Sequence, residues 1–169
     1  MKRKIDLWQY APQICEQTGK GVLLTTKAEG KVNTMTIGWG TLGIQWGKPI
    51  YTVFVRESRY TKELLDKNGE FTINVPVGEL DKSILGVCGT RSGRDMDKIK
   101  ELGLTLEESN TISVPGIKEL PLTLECKVIY RQDQDANAIA PENIARYYPQ
   151  GDFHTAYYGQ VLDAYIIED

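Results

Sequence analysis

A glycine-rich segment with a strand pattern, Lys31 to Gly47, constrains the fold of this chain more than any other feature. Its sequence, KVNTMTIGWGTLGIQWG, alternates polar and apolar side chains and carries Gly38, Gly40 and Gly43. A glycine inside a strand removes a side chain, and it marks either a bend or bulge or a backbone that another group approaches closely. Two interpretations therefore fit these residues: a bent barrel strand, or a strand on which a flat ligand lies.

The rest of the chain is also dominated by strand patterns with short connections. Residues 21–28, 50–57, 71–76, 104–107, 122–130 and 156–167 alternate or run apolar, whereas the predicted helices, within 61–69, 78–89, 95–103 and 141–147, are short. Residues 1–21 are predicted to form a lead-in with a short irregular helix or strand. Because strands and helices do not alternate regularly, the pattern favours a closed antiparallel barrel over a doubly wound parallel sheet. The length of 169 residues predicts a single domain over residues 1–169.

Composition narrows the classes of partner. Lysine and arginine number 20 against 23 acidic residues, so no broad basic face for nucleic acid is expected. The three cysteines are widely spaced and form no C-x-x-C pair, which disfavours a disulfide framework and a thiolate metal site. No segment approaches the roughly 18 consecutive apolar residues that a membrane span requires. We therefore expect a soluble cytoplasmic protein with small-molecule or protein partners, and no nucleic-acid or membrane partner.

A polar junction follows the strand of residues 50–57 and precedes a predicted helix. It contains Ser58, Arg59 and Thr61. The first turn of a helix offers unpaired N–H groups and a positive dipole end, so hydroxyls and an arginine there suit a phosphate group. The alternative is that Ser58 or Thr61 caps the helix and Arg59 is solvated.

A second junction has the same chemistry. Arg91, Ser92, Arg94 and Lys98 cluster around the predicted start of another helix, which Ser92 or Asp95 is placed to cap. Cations are unfavourable beside the N-terminal end of the helix dipole, so a bound anion explains this turn better than helix stability does. The alternative of two solvated, unrelated turns also fits the residues.

The chain offers few residues for other chemistries. His154 is the only histidine, so a histidine-based metal centre is not expected and no metal site is predicted. There is no G-x-S-x-G nucleophile motif and no Walker loop. Cys88 follows an apolar run and is interpreted as a buried residue rather than a nucleophile.

Five segments, in this order, carry a resemblance to a known family. They are NTMTIGWG (33–40), VRESRYT (55–61), FTINVP (71–76), CGTRSGRDMDK (88–98) and HTAYYGQV (154–161). Together they resemble the flavin reductase-like family of FMN-binding split barrels, in particular its flavoredoxin branch. Each segment is a weak signal by itself, but five in one order are specific.

The resemblance implies a mainly β, six-stranded antiparallel split β-barrel with a few short helices, which forms a homodimer and binds FMN near the dimer interface. It implies that Asn33, Thr34, Met35 and Thr36, with the region of Trp39, supply backbone groups along the isoalloxazine ring. It also implies that Ser58, Arg59, Thr61, Ser92, Gly93, Arg94 and Lys98 bind the phosphate, that Asn74 lies near the flavin, and that His154 lies on its nicotinamide side. Relatives often read Gly-Asp-His where this chain has Phe153 between Asp152 and His154.

The activity implied by the resemblance is NAD(P)H-dependent flavin reduction, with hydride passing from nicotinamide to flavin. Reduced flavin would then pass electrons to a separate acceptor, such as a monooxygenase, oxygen or ferric iron. Two alternatives stay open at this point: a non-enzymatic, flavoredoxin-type electron carrier that holds FMN, and a flavin-binding module without turnover.

Overall fold

A computed structural model describes all 169 residues of the chain, which form ten strands and five helices. The strands are β1 (Lys2–Lys4), β2 (Val22–Ala28), β3 (Lys31–Ile37), β4 (Gly40–Gln45), β5 (Lys48–Arg56), β6 (Glu70–Val75), β7 (Leu106–Glu107), β8 (Gly116–Ile117), β9 (Leu122–Asp133) and β10 (His154–Ile167). The helices are α1 (Leu7–Lys20), α2 (Tyr60–Lys67), α3 (Lys82–Thr90), α4 (Lys98–Glu101) and α5 (Pro141–Tyr147). None of these helices is long and apolar enough to cross a membrane.

The main sheet is antiparallel and has the strand order β3-β2-β6-β9-β10-β5-β4, with β1 also paired to β10. Its two edge strands, β3 and β4, are consecutive in the chain and are separated only by Gly38 and Trp39. The first and last strands of the order therefore approach each other at the glycine-rich segment, and the sheet curls into a split barrel. The predicted fold class is confirmed, although the sheet has eight strands rather than six.

Strands β2 and β3 form a hairpin with a two-residue turn. Glu29 and Gly30 connect the two strands, and both have left-handed backbone conformations, with φ of 52° and 75°. Two successive residues with positive φ match the right-handed twist of a hairpin. This tight turn fixes the register of β3 against β2, and with it the face that each β3 side chain occupies.

The interior of the barrel is apolar and closely packed. Its largest fully buried side chains include Tyr51, Phe71, Ile73, Leu124 and Tyr157. A smaller cluster lies beneath α3, and its buried members are Leu23, Ile84, Cys88, Leu104, Ile117 and Leu120. The barrel thus forms a rigid wall behind the glycine-rich segment, and α3 fixes the loop that follows it.

The N-terminal segment differs from its prediction as an irregular lead-in. Residues 7–20 form a regular helix of 14 residues, although Pro12 lies inside it. Asp6 caps this helix by accepting a hydrogen bond from Trp8 N at 2.9 Å. An interior proline costs one backbone hydrogen bond, and packing of the buried Ile14 and Thr18 against the barrel offsets that cost. Tertiary contact therefore outweighs the local signal of the proline.

Candidate functional site

The two polar junctions lie on the same side of the barrel and share one cavity of about 370 Å³. We call it the anion pocket; its lining residues are Asn33, Met35, Arg56, Ser58, Arg59, Tyr60, Thr61, Thr90, Arg91, Ser92, Gly93, Arg94, Lys98 and Asp152. Four arginines and one lysine face a single carboxylate in this set. Such an excess of positive charge in a recess favours binding of an anion.

The first junction is not an ordinary helix cap. Arg59 occupies the position before α2 and makes no side-chain capping bond; instead its guanidinium donates to Gly89 O at 3.2 Å. Ser58 donates from its backbone N and from Oγ to the carboxylate of Asp152, at 2.9 and 2.7 Å. Thr61 accepts a hydrogen bond from Asn33 Nδ2 at 3.2 Å. The capping alternative for Ser58 and Thr61 is therefore wrong, because both hydroxyls have other partners.

The second junction is connected to the first by Arg94. Its guanidinium donates to Ser58 O at 3.1 Å and pairs with Glu63 of α2. The helix that follows is shorter than predicted, since α4 is only Lys98–Glu101, and Asp97 caps it rather than Ser92 or Asp95. The loop of residues 91–97 is thus held by side-chain contacts instead of by a long helix.

Lys98 is almost fully buried between the two junctions. Its ammonium donates to Thr34 O at 2.9 Å and to Cys88 O at 3.1 Å, which joins β3 to α3. Burial lowers the pKa of Lys98 below its usual value, because removing the ammonium from water disfavours its charged form. The Cys88 side chain is also fully buried, in agreement with its interpretation as a core residue.

Gly93 allows the second loop to approach the strand wall. A Cβ atom at this position would lie 2.2 Å from Asn33 Oδ1 and 2.7 Å from Tyr60 Cδ1, both shorter than real contacts. The Asn33 amide is already bound to Thr61 and cannot move freely. A residue without a side chain is therefore required where the loop meets β3 and α2.

A second cavity of about 190 Å³ adjoins the anion pocket. We call it the strand pocket; it is lined by Met35, Thr36, Ile37, Gly38, Trp39, Phe54, Arg56, Arg59 and His154. Met35, Arg56 and Arg59 line both cavities, so the two form one continuous site. One end of the site, the anion pocket, is charged. The other end, the strand pocket, is formed by the last residues of β3, the residues that follow it, and aromatic side chains.

His154 lies in the strand pocket as a mostly buried, uncharged imidazole. Its Nδ1 is 2.7 Å from Tyr148 Oη, and its ring centroid is 5.0 Å from that of Trp39. Burial, and then the nearby positive charge of Arg56, lowers the pKa of His154 from 6.5 to about 4. At neutral pH the imidazole can donate and accept hydrogen bonds but carries no charge.

This lowered pKa predicts a loss of stability in mild acid. In the unfolded chain His154 takes up a proton near pH 6.5, whereas in the folded chain it does so only near pH 4, so stability is full above 6.5 and falls as the pH falls through this window. From pH 7 to pH 5 we expect a loss on the order of 2 kcal/mol from this residue.

Denaturant titrations at both pH values measure the effect. The control is His154→Asn, which removes the titrating group while the carboxylates of the protein still titrate. An equal loss of stability in the wild type and in this variant would show that His154 is not buried in its neutral form.

Two of the residues predicted to contact flavin have side chains that lie outside both cavities. Asn74 is fully buried, donates to Thr25 Oγ1 at 2.9 Å and to Thr72 Oγ1 at 3.1 Å, and accepts from Ile117 N at 2.9 Å. Thr34 is also fully buried, with its Oγ1 3.0 Å from Thr25 Oγ1. The structure thus places the Asn74 amide in a polar network inside the protein, and the backbone oxygen of Thr34 accepts the hydrogen bond from Lys98.

Two charged residues of the site were not predicted from the sequence. Arg56 lines both cavities and donates to Asp152 O at 2.9 Å and to Tyr147 O at 3.1 Å. Asp152 has a left-handed backbone with φ of 56° and presents its carboxylate to Ser58. Arg56 ends a strand whose other residues read as apolar core, and Asp152 follows a glycine in what reads as an ordinary turn. Only the antiparallel pairing of β5 with β10 brings these segments together.

Comparison with known proteins agrees with this geometry. The sequence model of the family described as flavin reductase like domain matches residues 18–169, nearly the whole chain. The chain belongs to the flavin reductase-like domain family. The matched region includes both polar junctions, the glycine-rich segment and His154.

Individual relatives match only part of the chain. An uncharacterized protein of Archaeoglobus fulgidus is 39% identical over 99 residues, which cover 59% of this chain and 55% of that protein. The chain spans 55% to 59% of the length of the curated relatives it matches.

Solved structures of the same fold include flavoredoxins. The flavoredoxin of Methanosarcina acetivorans is 28% identical, with a TM-score of 0.66. The aligned region covers 88% of this chain and 68% of the flavoredoxin chain. An FMN-binding domain of a flavin reductase-like enzyme from Shewanella baltica is 21% identical, with a TM-score of 0.70. The aligned region covers 98% of this chain and 77% of the Shewanella chain. These likenesses support the split-barrel fold described above.

Proposed function

We propose that this protein binds FMN and acts as an NAD(P)H-dependent flavin reductase. The observation that carries the proposal is the convergence of both cationic junctions on one pocket that continues into the strand pocket. A phosphorylated, planar cofactor needs cations and oriented donors at one end and a recess with apolar and aromatic walls at the other. The arginines around Ser92 meet the first requirement, and the strand pocket with Met35, Trp39 and Phe54 meets the second.

In this proposal the anion pocket holds the ribityl phosphate. Arg59, Arg91 and Arg94 neutralise its charge, while Ser92 and the backbone at Gly93 donate hydrogen bonds. These groups line the pocket together. The carboxylate of Asp152 accepts both donors of Ser58, so Ser58 acts mainly by fixing the segment that leads to His154.

The strand pocket then takes the isoalloxazine ring along Met35, Thr36 and Trp39. When bound, the flavin supplies the two-electron chemistry, accepting hydride from a nicotinamide. Barrel side chains behind β3 exclude water from one side of the ring. His154 contributes a neutral hydrogen-bonding group beside it, with its Nδ1 fixed by Tyr148, and no side chain needs to transfer a proton.

Reduction by nicotinamide tests this function directly. We expect the flavin-loaded protein to lose its yellow absorption rapidly when NADH or NADPH is added without oxygen, and to turn over steadily when oxygen is admitted. Free FMN at the same concentration is the control for uncatalysed reduction. Bleaching no faster than this control with either nucleotide would eliminate the reductase.

The flavoredoxin-type electron carrier is the second candidate function. The 28% identity to a flavoredoxin over most of this chain favours it. A carrier would retain FMN through purification and be reduced by a protein donor but not by free nicotinamide, so the same bleaching experiment separates the two candidates. Retention of flavin without reduction by any donor would indicate a binding module without turnover.

We also propose that the protein acts in the cytoplasm and that its reduced flavin serves a monooxygenase or another acceptor.

We propose further that the protein forms a homodimer. Trp46, Tyr130 and Tyr158 form an aromatic row on the outside of the sheet, with ring centroids 5.9 and 5.1 Å apart. Trp46 is 57% exposed and the neighbouring Ile44 is 71% exposed. Exposed apolar surface of this kind is typical of a subunit contact. The mass of the protein in solution tests the dimer.

A further inference from the structure

A third cavity, of about 460 Å³, adjoins the strand pocket but not the anion pocket. We call it the outer pocket; its walls are one face of α1 with Cys15, Thr18 and Gly19, residues 38–41, Phe54 and Gln134. Gly38, Trp39 and Phe54 also line the strand pocket, whereas no residue of the outer pocket lines the anion pocket. A molecule in the outer pocket would therefore lie beside the flavin ring proposed above and apart from its phosphate.

The outer pocket contains no charged side chain. The anion pocket, in contrast, is lined by four arginines, one lysine and one aspartate. An anion that entered the outer pocket would lose water without gaining a cation, which is unfavourable. The lining therefore disfavours nucleotides and other anions, and it suits a neutral ligand.

The shape of the outer pocket suits a flat ring. The indole of Trp39 is 43% exposed, and the ring of Phe54 lies in the same wall. A Cβ atom at Gly19 or Gly38 would meet nothing within 4 Å, so the space beside this backbone is open. The volume is within the range of pockets for small molecules, about 300–1,000 Å³. An aromatic or quinonoid ring can pack against the exposed indole.

Gln134 provides hydrogen-bond donors in a fixed position. Its Oε1 accepts a hydrogen bond from His154 N at 2.9 Å, and its backbone N donates to His154 O at 3.1 Å. Because the amide oxygen is used in this way, the amide nitrogen keeps its donors for a ligand. The hydroxyl of Thr18 is already bonded to Ile14 O and Tyr51 Oη. The pocket thus offers an oriented amide donor to a carbonyl oxygen.

We propose that the outer pocket binds a neutral, planar quinone, which is the electron acceptor of this protein, with a carbonyl oxygen at the Gln134 amide. The proposal rests on the proposed function for the position of the flavin ring. The quinone takes two electrons and one proton from the anionic reduced flavin and a second proton from water. It becomes the hydroquinone, and the flavin returns to its oxidised form.

Cys15 makes binding measurable without turnover. Its thiol is exposed, whereas Cys88 and Cys126 are buried, so iodoacetamide labels Cys15 selectively. The probe is tetramethyl-1,4-benzoquinone, because its four methyl groups hinder addition of the thiol to the ring. In FMN-loaded, oxidised protein we expect saturating quinone to slow the labelling of Cys15 about tenfold.

Two glycine variants locate the binding. Gly19→Leu fills the outer pocket from α1, and Gly19 lines neither of the other two pockets. The matched control is Gly86→Leu, because Gly86 is also an exposed helical glycine with nothing within 4 Å of its Cβ position and lines none of the three cavities. Labelling rates with and without quinone are compared within each protein, since the new leucine can itself cover Cys15. Protection should disappear in Gly19→Leu and persist in Gly86→Leu.

Reoxidation of the flavin tests the acceptor role. Each FMN-loaded protein is reduced with one equivalent of dithionite without oxygen and then mixed with the quinone. We expect reoxidation to be about tenfold slower in Gly19→Leu than in the wild type, and unchanged in Gly86→Leu.

Three results would overturn the proposal: no protection of Cys15 in the wild type, equal protection in Gly19→Leu, or equal reoxidation rates in the two variants. Failure of NADH and NADPH to bleach the flavin would instead reject the proposed function. Dithionite replaces the nicotinamide in this experiment, so the two failures are distinguishable.

Discussion

Replacement of Gly159 by alanine is expected to lower the free energy of unfolding by about 3 kcal/mol. Gly159 lies in the middle of β10, next to a shift in register between β10 and β9. A Cβ atom there would lie 2.4 Å from Phe71 Cζ, 2.6 Å from Phe71 Cε1 and 3.0 Å from Cys126 Cβ. Phe71 is fully buried in the barrel core, so its ring cannot move aside without displacing other packed side chains.

The matched control is Gly43→Ala in β4. A Cβ atom at Gly43 meets nothing within 4 Å, so this variant changes the same residue type in a strand without a clash. Denaturant titrations of the wild type and both variants give the free energies of unfolding. Equal stabilities for the two variants would mean that the barrel core yields at Phe71, contrary to close packing of this interior.

The sequence predicts the fold class well because its strand patterns are strong and its helices are short, and this combination is typical of an antiparallel barrel. The hairpin at Glu29 and Gly30 shows why: local turn chemistry, alternation and burial all indicate the same structure. For residues 1–21 the sequence predicts only a short irregular helix or strand, because Pro12 is a local signal against a long helix. Packing of Ile14 and Thr18 stabilises a regular helix of 14 residues instead. Such packing depends on the barrel surface, which no local window of the sequence contains.

The candidate site was predicted where its residues are consecutive. Ser58, Arg59, Gly93 and Arg94 belong to short polar runs, and the structure brings those runs into one pocket. Whether each residue binds flavin stays a prediction. Such runs can be recognised from the sequence alone, because several cations and hydroxyls lie close together within a few residues.

Residues whose roles depend on the pairing of distant strands were not predictable in this way. Asn74 was assigned to the flavin from a family pattern, yet its amide is hydrogen-bonded to Thr25, Thr72 and Ile117 on the face of β6 opposite to the barrel core. Asp152 was not assigned at all, although it accepts two hydrogen bonds from Ser58 across 94 positions of the chain. The direction of a buried amide or of a carboxylate in a turn is set by the folded surroundings.

Replacement of Arg59 by alanine is expected to weaken FMN binding by about 1–3 kcal/mol, the cost of a lost hydrogen bond to a charged group. This corresponds to roughly a 5- to 150-fold increase in Kd. Arg59 lines both the anion pocket and the strand pocket, so it is expected to contact both ends of the flavin. Its guanidinium bonds only Gly89 O within the chain, at 3.2 Å, so most of its donors are available to a phosphate.

Fluorescence titration of FMN measures the effect, with Arg146→Ala as the control. Arg146 lies on α5 and lines neither pocket, so its removal changes the net charge by the same amount outside both cavities. Arg59→Lys is expected to recover only part of the affinity, because an ammonium keeps the charge but loses the planar fork of donors. An FMN affinity unchanged in Arg59→Ala, with binding intact in the wild type, would place the phosphate outside the anion pocket.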